Sequence, residues 1–284
     1  AGLGLMGSRI VGRLHGRAGE LLLWDRTRSR ALEIASRLPG SRVAQELRDL
    51  GSADVVFVMV RDSPATLSVV SGLPKAGKLI VNLATILPSD SLRIKSMVES
   101  EGGRFVDAPV VGSTPAAEEG KLVVLASGDE GAVRELEPLL SLIGRPLYVG
   151  QVPSGAHAKL AANLLLAGLT EVLAEALEFA DRVGLDRGVL ANVISASPYN
   201  NAYFNLKLVR MMSGDFSAQF PLDLMHKDLK YIVSVAQEAG AFISLTSLAE
   251  QIFGRAESAG CARKDLSAIY ELLRSCCSGS AAGS

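Results

Sequence analysis

Ala1-Gly2-Leu3-Gly4-Leu5-Met6-Gly7 opens the chain, and its reading decides the fold. The three glycines fit G-x-G-x-x-G. A glycine-rich turn with no ligand fits the same letters, so the surrounding chain has to choose between the two. After Gly7 an amphipathic helix runs through Ile10, Val11 and Leu14, and Leu21-Leu22-Leu23-Trp24 reads as a short buried strand ending at Asp25. A carboxylate about 20 residues beyond the glycines is where a dinucleotide site places the group that reads the ribose. In that context Gly2 allows the tight turn, Gly4 lets the backbone approach a pyrophosphate, and Gly7 allows close helix–strand packing, with the helix N-terminus facing the anion. An apolar strand normally precedes such a turn. Only Ala1 stands there, so a few residues are expected to be missing ahead of it.

The residues after Asp25 bear on which dinucleotide is bound. Arg26, Thr27, Arg28, Ser29 and Arg30 form a short basic, hydroxyl-bearing run. A strand-end Asp accepts from ribose hydroxyls and disfavours a 2′-phosphate, whereas guanidinium and hydroxyl groups just beyond it suit one. The two signals conflict, and a solvated helix start remains a third reading of the run.

Strand and helix patterns then alternate. Val55 to Val60 is a near-continuous apolar run of the kind found in a buried parallel strand. Strands are further expected at 78–82, 104–107, around 110–113, at 121–126 and at 146–149. Pro88 suits a helix start. The pattern predicts an α/β, Rossmann-type doubly wound domain over residues 1–153. Ligands in such sheets sit beyond the C-terminal strand ends, which is where Asp25, Arg61, Thr85 and Gly112 fall.

From Ser154 to about Val183 runs the longest helical pattern, apolar nearly all round and therefore expected to be buried between two domains. Gly155, Lys159 and Asn163 recur every fourth residue along it, so they line one face. A buried amine reaching a small ligand and a snorkelling Lys with an interhelical Asn fit that face equally well. Beyond it the strand signal disappears. Helices are expected over about 185–195, 201–212, 222–239, 243–259 and 264–276, giving an all-α domain over 154–277 and a disordered tail over 278–284. Within it, His226, Lys227, Asp228 and Lys230 are polar on a helix striped by Leu222, Met225, Leu229, Ile232 and Val233.

Composition bounds the remaining classes. Lys plus Arg is 29 and Asp plus Glu is 30, a formal charge of −1, which points to neither nucleic acid nor a membrane surface. Asn163, Thr170, Glu171, Glu175 and Glu178 argue against the long helix being a membrane span. Cys261, Cys276 and Cys277 show no zinc spacing and read as reduced thiols of a cytoplasmic protein. The far apolar side of the long helix calls for a homodimer or homotetramer through the helical domain.

Taken together, these motifs resemble the β-hydroxyacid dehydrogenase family, which includes 3-hydroxyisobutyrate dehydrogenases and glyoxylate/succinic semialdehyde reductases. Gly2-Leu3-Gly4-Leu5-Met6-Gly7 matches its G-L-G-x-M-G. Asp107-Ala108-Pro109-Val110-Val111-Gly112-Ser113 is similar to its D-A-P-V-S-G-G. Gly155, Lys159 and Asn163 match its G-x-x-x-K-x-x-x-N, and Lys227-Asp228-Leu229 its K-D-L. The resemblance implies Lys159 as general acid/base, a role that suits a Lys of lowered pKa, and Asn163 holding the substrate. It also implies that Gly112 and Ser113 bind the substrate carboxylate and that Val60 and Thr85 lie at the cofactor. Lys227 and Asp228 would close the site, Lys227 near cofactor or substrate. Two hydroxyls usual in the family are gone, at Ala84 and Val111. Trp24-Asp25-Arg26-Thr27 resembles a W-N-R-T associated with NADP, with Asp25 the discordant residue. The expected cofactor is NADP(H), with NAD(H) open, and the expected substrate is a small carboxylate-bearing hydroxyacid or semialdehyde. Two alternatives are an imine reductase, disfavoured by Lys159, and a non-catalytic cofactor-sensing interaction protein, disfavoured by the retained Lys159, Asn163 and Lys227.

Overall fold

The computed structural model describes residues 1–276. Cys277 and the tail expected over 278–284 lie outside the described residues. There are two compact units, Ala1–Leu160 and the chain from Ala161 onward.

The first unit runs α1 (Leu5–Leu14), β1 (Leu22–Leu23), α2 (Arg28–Ser36), β2 (Arg42–Val43), β3 (Val55–Val58), α3 (Ser63–Ser71), β4 (Leu79–Asn82), α4 (Pro88–Ser100), β5 (Arg104–Asp107), β6 (Val110–Val111), α5 (Thr114–Glu119), β7 (Leu122–Gly128), α6 (Glu130–Ile143) and β8 (Gly144–Tyr148). Strands β3, β4 and β5 are parallel neighbours, with Val56 opposite Ile80 and Ile80 opposite Phe105. Successive residues of each strand face opposite sides, so two cores form. One gathers Ile10, Leu14, Leu79, Val81, Val106 and Leu136; the other gathers Val56, Val58, Val70, Ile80, Ile94 and Phe105. That is the expected doubly wound arrangement.

Two details depart from the sequence pattern. Strand β2 was not expected, being only Arg42–Val43 paired to β1, too short and too polar to leave an apolar run. Strand β7 runs antiparallel to both β5 and β6, so the sheet is mixed. The ten residues 112–121 that join β6 to β7, with the short α5 among them, fall short of a parallel crossover, which takes a dozen residues or more. The strand expected ahead of the glycine turn is reduced to its end, and β1 and β3 are not direct partners. Gly2 N donates to Trp24 O at 2.9 Å and Met59 N donates to Ala1 O at 2.9 Å, so Ala1 and Gly2 hold the strand position between them.

Helix α7 (Ser154–Arg182) begins in the first unit and continues into the second. The second unit adds α8 (Arg187–Ala196), α9 (Ala202–Ser213), α10 (Leu222–Ala239), α11 (Ser244–Ala256) and α12 (Ile269–Cys276). Each falls on an expected pattern. Asn201 caps α9 by accepting from Phe204 N at 2.9 Å, and Gly214 and Gly240 end α9 and α10 in the left-handed region. The expectation that α7 is buried all round needs correction. Leu173, Ala174, Leu177 and Ala180 are buried, but Leu165, Val172 and Phe179 are at least half exposed. Those three recur every seventh residue and so share one face.

Glu171 lies on the buried side of α7, and neither carboxylate oxygen has a hydrogen-bond partner among the described residues. Burial, with Glu175 adding to it, pushes its carboxyl up to about 7. Below the ordinary value of 4.5 the folded and unfolded chains both hold the proton, and between there and about 7 only the folded chain does. Stability therefore falls as pH rises through that window and stays reduced above it. Glu171→Gln should stabilise the chain by about 2 kcal/mol at pH 8 relative to pH 5. Thermal melts at the two pH values check this, and an equal effect at both would show that Glu171 is not held protonated.

Candidate active site

The glycine turn is shaped by its neighbours. At Gly2, φ is +88° and an added Cβ would lie 2.3 Å from Met59 O; at Gly7 it would lie 2.1 Å from Gly2 O. Only glycine allows this left-handed backbone and these two approaches. At Gly4 a Cβ would meet nothing within 4 Å. Gly4 is the N-cap of α1 and supplies no side chain to the helix's first N–H groups, which are left to an external anion. The turn is closed by fold contacts at Gly2 and Gly7 and open at Gly4. That suits the pyrophosphate of a dinucleotide, with Leu3, Leu5 and Met6 contributing backbone and surface to the same turn.

Asp25, just past β1, is turned inward. Its Oδ2 accepts from Leu3 N at 2.8 Å and its Oδ1 from Thr27 N at 2.8 Å. Arg30 Nη1 reaches both oxygens, at 3.3 and 3.4 Å. Arg26 is exposed and makes no hydrogen bond or ion pair among the described residues. Thr27 is the N-cap of α2, yet its hydroxyl does not cap the helix. Val60 packs beside Gly2, its Cγ1 2.8 Å from where a Cβ there would be. Arg61 and Thr85 follow the ends of β3 and β4, as expected.

At the end of β5, Asp107 is fully buried. Its carboxyl accepts from Asn82 Nδ2 at 2.8 Å and from Ser91 Oγ at 2.7 Å. It also accepts from the backbone N–H of Ala156, and desolvation pushes it up to about 6. Asn82 folds the chain after β4 onto itself, donating to Ala84 O at 2.9 Å and accepting from Ala84 N at 3.1 Å. One carboxyl group thus ties the approach to Thr85, helix α4 and the first turn of α7. At Gly155 a Cβ would lie 2.7 Å from Ser127 Oγ and 2.9 Å from Asp107 O, so glycine is needed where α7 leaves the sheet. Lys159 follows one turn later and is 6% exposed. In the sequence Asp107 is visible only as a letter of a motif. The signal that could have singled it out is a carboxylate directly after the apolar pair Phe105-Val106 on a central strand.

Gly112 has φ +135° and sits against Leu122. Ser113 is the N-cap of α5, but its hydroxyl makes no capping bond. In the second unit Asn163 is 1% exposed and Asp228 2%. Asn163 Nδ2 donates to Asp228 Oδ2 at 2.6 Å. Lys227 Nζ pairs with Asp228 Oδ1 at 2.7 Å and lies 4.8 Å from the centre of the Tyr231 ring. The structure thus brings together Asn163, Lys227 and Asp228, as it does Gly2 to Gly7 with Asp25. Because an ionised Asp only accepts, the Asn163 amide must turn its NH2 towards it. That leaves its carbonyl oxygen and one N–H for a ligand group. His226 bonds through Nδ1 to Glu257 and through Nε2 to Glu250 at 3.1 Å, a link between α10 and the end of α11. Among the described residues no cluster has the makings of a metal site.

A doubly wound unit whose glycine turn is open at Gly4, at the N-terminus of α1, followed in the chain by a helical unit, has the form of a dinucleotide-binding protein. Comparison with known proteins narrows it. Residues 1–152 match the family described as the NAD binding domain of 6-phosphogluconate dehydrogenase. Residues 153–273 match that described as NAD-binding of NADP-dependent 3-hydroxyisobutyrate dehydrogenase. Glyoxylate/succinic semialdehyde reductase 1 of Arabidopsis thaliana is 30% identical over 281 residues, 96% of each chain. The 2-(hydroxymethyl)glutarate dehydrogenase of Eubacterium barkeri is 29% identical, over 95% of this chain and 92% of its own. The structure of Mycobacterium tuberculosis 3-hydroxyisobutyrate dehydrogenase with L-serine superposes with a TM-score of 0.87 at 26% identity, covering 96% of this chain and 97% of that one. This chain belongs to the 3-hydroxyisobutyrate dehydrogenase family of NAD(P)-dependent oxidoreductases.

Proposed function

We propose that this enzyme interconverts a small β-hydroxyacid and its semialdehyde using NADP(H), with Lys159 as the general acid/base. The observation that carries the proposal is the buried Lys159 amine on a helix whose first turn is locked to the sheet by Asp107. An ammonium so placed gives its proton to a carbonyl oxygen in reduction, and the neutral amine takes it back from the hydroxyl in oxidation. The bound nicotinamide supplies or accepts the hydride. Asn163, with its amide fixed by Asp228, offers its carbonyl oxygen and remaining N–H to the substrate hydroxyl or carboxylate. The Ser113 hydroxyl and the backbone at Gly112 take the carboxylate, with Ser113 standing in for the hydroxyl absent at Val111. Thr85 meets the nicotinamide end of the cofactor, and in the second unit Asp228, itself paired with Lys227, orients Asn163.

NADP(H) is favoured because Arg26 and the Thr27 hydroxyl are uncommitted at the start of α2, where a 2′-phosphate needs donors. The α7 face of Leu165, Val172 and Phe179 supports a homodimer or homotetramer through the helical unit. The balanced charge supports neither nucleic-acid nor membrane-surface partners, and the cysteines without zinc spacing support a cytoplasmic protein.

The test is a matrix of initial rates. NADPH and NADH are each paired with glyoxylate, succinic semialdehyde and methylmalonate semialdehyde, and NADP and NAD with 3-hydroxyisobutyrate and L-serine. The expected result is turnover of at least one pair, with the phosphorylated cofactor preferred. Hydroxyacids differing by one methyl group differ by only about 1–3 kcal/mol in a pocket, so rates must rank them. No turnover of any pair would sink the proposal.

A further inference from the structure

Asp228 turns the Asn163 amide by accepting from its Nδ2, and it does so as an ionised group that only accepts. The carboxylate is nearly inaccessible to water, so its charge needs a partner inside the fold. That partner is Lys227, whose Nζ lies 2.7 Å from Oδ1. The two residues are neighbours on α10, and the approach is not aligned as a hydrogen bond: Oδ1 is buried and accepts none among the described residues. Charge without a directional bond holds the ammonium there. A lysine stem is flexible and ordinarily carries its head to water. Lys230, three residues on, is exposed, whereas the Lys227 side chain is 13% exposed. A second hold is present. Tyr231 follows Lys227 by four residues, so the two share a face of the helix, and Nζ lies 4.8 Å from the centre of its ring. The pairs Arg187–Tyr270 and Lys207–Tyr203 stand farther off, at 5.8 and 5.9 Å. The face of an aromatic ring is negative and attracts an ammonium, more strongly when the ammonium is shielded from water.

We infer that Tyr231 is a positioning residue whose ring seats the Lys227 ammonium against Asp228, and so keeps the carboxylate charged and the Asn163 amide turned for the substrate. The inference rests on the substrate role given to Asn163 above. The contacts run from ring to ammonium to carboxylate to amide, all within the second unit. Each link is electrostatic. Without the ring the ammonium swings out to water and the buried carboxylate loses its counter-charge. The amide is then no longer held one way round. The face of the ring acts here and the phenol hydroxyl does not, so a phenyl ring serves equally well and an aliphatic side chain does not.

The experiment compares the wild type with Tyr231→Phe, Tyr231→Leu and a variant carrying a trifluorinated phenylalanine at position 231, which keeps the shape of the ring but removes its negative face. Two readouts are taken on the full chain. One is the side-chain amide signal of Asn163 in protein labelled with nitrogen-15 at asparagine, recorded without substrate and assigned by its loss in Asn163→Ser. The other is kcat/KM for the best substrate pair of the rate matrix. Tyr231→Phe is expected to leave the amide signal in place and kcat/KM within about twofold of wild type. Tyr231→Leu and the fluorinated ring should both move the amide signal towards that of a free amide and lower kcat/KM about tenfold, the scale of a shielded cation–π contact. An amide signal that stays in place in Tyr231→Leu overturns the inference. So does a Phe variant that behaves like Leu, which would assign the effect to the hydroxyl, and so does a fluorinated ring that behaves like Phe, which would assign it to bulk. An amide that moves while kcat/KM does not would uphold the seating and refute the substrate role given to Asn163.

Discussion

Lys159→Ala is expected to lower kcat by about 10² or more, the usual scale for loss of a positioned general acid/base, while cofactor affinity and melting temperature stay close to wild type. The side chain is buried, so its loss leaves a small gap, but Ala is the best helix former and keeps α7 intact. The effect therefore falls on the proton and not on the scaffold. Single-turnover rates of hydride transfer, followed by nicotinamide absorbance, separate this from product release. Lys159→Arg sharpens the test, because a guanidinium keeps the positive charge but is not deprotonated near neutral pH and so serves poorly as an acid or base. If charge alone mattered, Arg would restore most of the rate. If proton transfer matters, Arg stays as slow as Ala. A kcat for the Ala variant within about threefold of wild type would remove Lys159 from the chemistry and leave it a packing role.

How much of this was legible in the sequence depends on the range of the interactions involved. The helices of the second unit were readable because apolar spacing and caps are local: Asn201, Gly214 and Gly240 each end or begin a helix through bonds to residues a few positions away. The strands that build both cores were readable for the same reason, being uninterrupted runs such as Val55 to Val58. Strand β2 was not, because two residues carry no period. The antiparallel course of β7 was hidden because it follows from the length of a connection more than from the strand. In the candidate site, Gly2, Gly4 and Gly7 were legible as a motif. Which glycine is crowded and which is open required the positions of Met59 and of Gly2 itself. The conflict over Asp25 could not be resolved from residue types. Where its carboxylate points is set by Leu3 N, 22 positions away, a contact that residue types do not carry.

Asp107→Ala is expected to cost about 3 kcal/mol or more of stability and to lower kcat with it. The substitution leaves Asn82 Nδ2, Ser91 Oγ and the Ala156 N–H buried beside an empty acceptor position, and each unsatisfied buried donor costs about 1–3 kcal/mol. A fall in kcat follows because the same carboxyl fixes the chain leading to Thr85 and the turn of α7 ahead of Lys159. Asp107→Asn separates the charge from the shape. Below the ordinary value of 3.8 folded and unfolded chains both hold the Asp107 proton, and between there and about 6 only the folded chain does. The wild type therefore loses stability from this group as pH rises through that window, by about 3 kcal/mol in all, and the loss is complete above it. Asn cannot ionise, so the difference in stability between Asp107→Asn and wild type should move in favour of the variant by about that amount between pH 4 and pH 7.5. Urea midpoints at the two pH values measure it. A difference that does not change with pH would mean that the three donors hold the carboxylate ionised throughout. Asp107 would then anchor α7 as a fixed negative charge at the helix N-terminus and would not be protonated near pH 6.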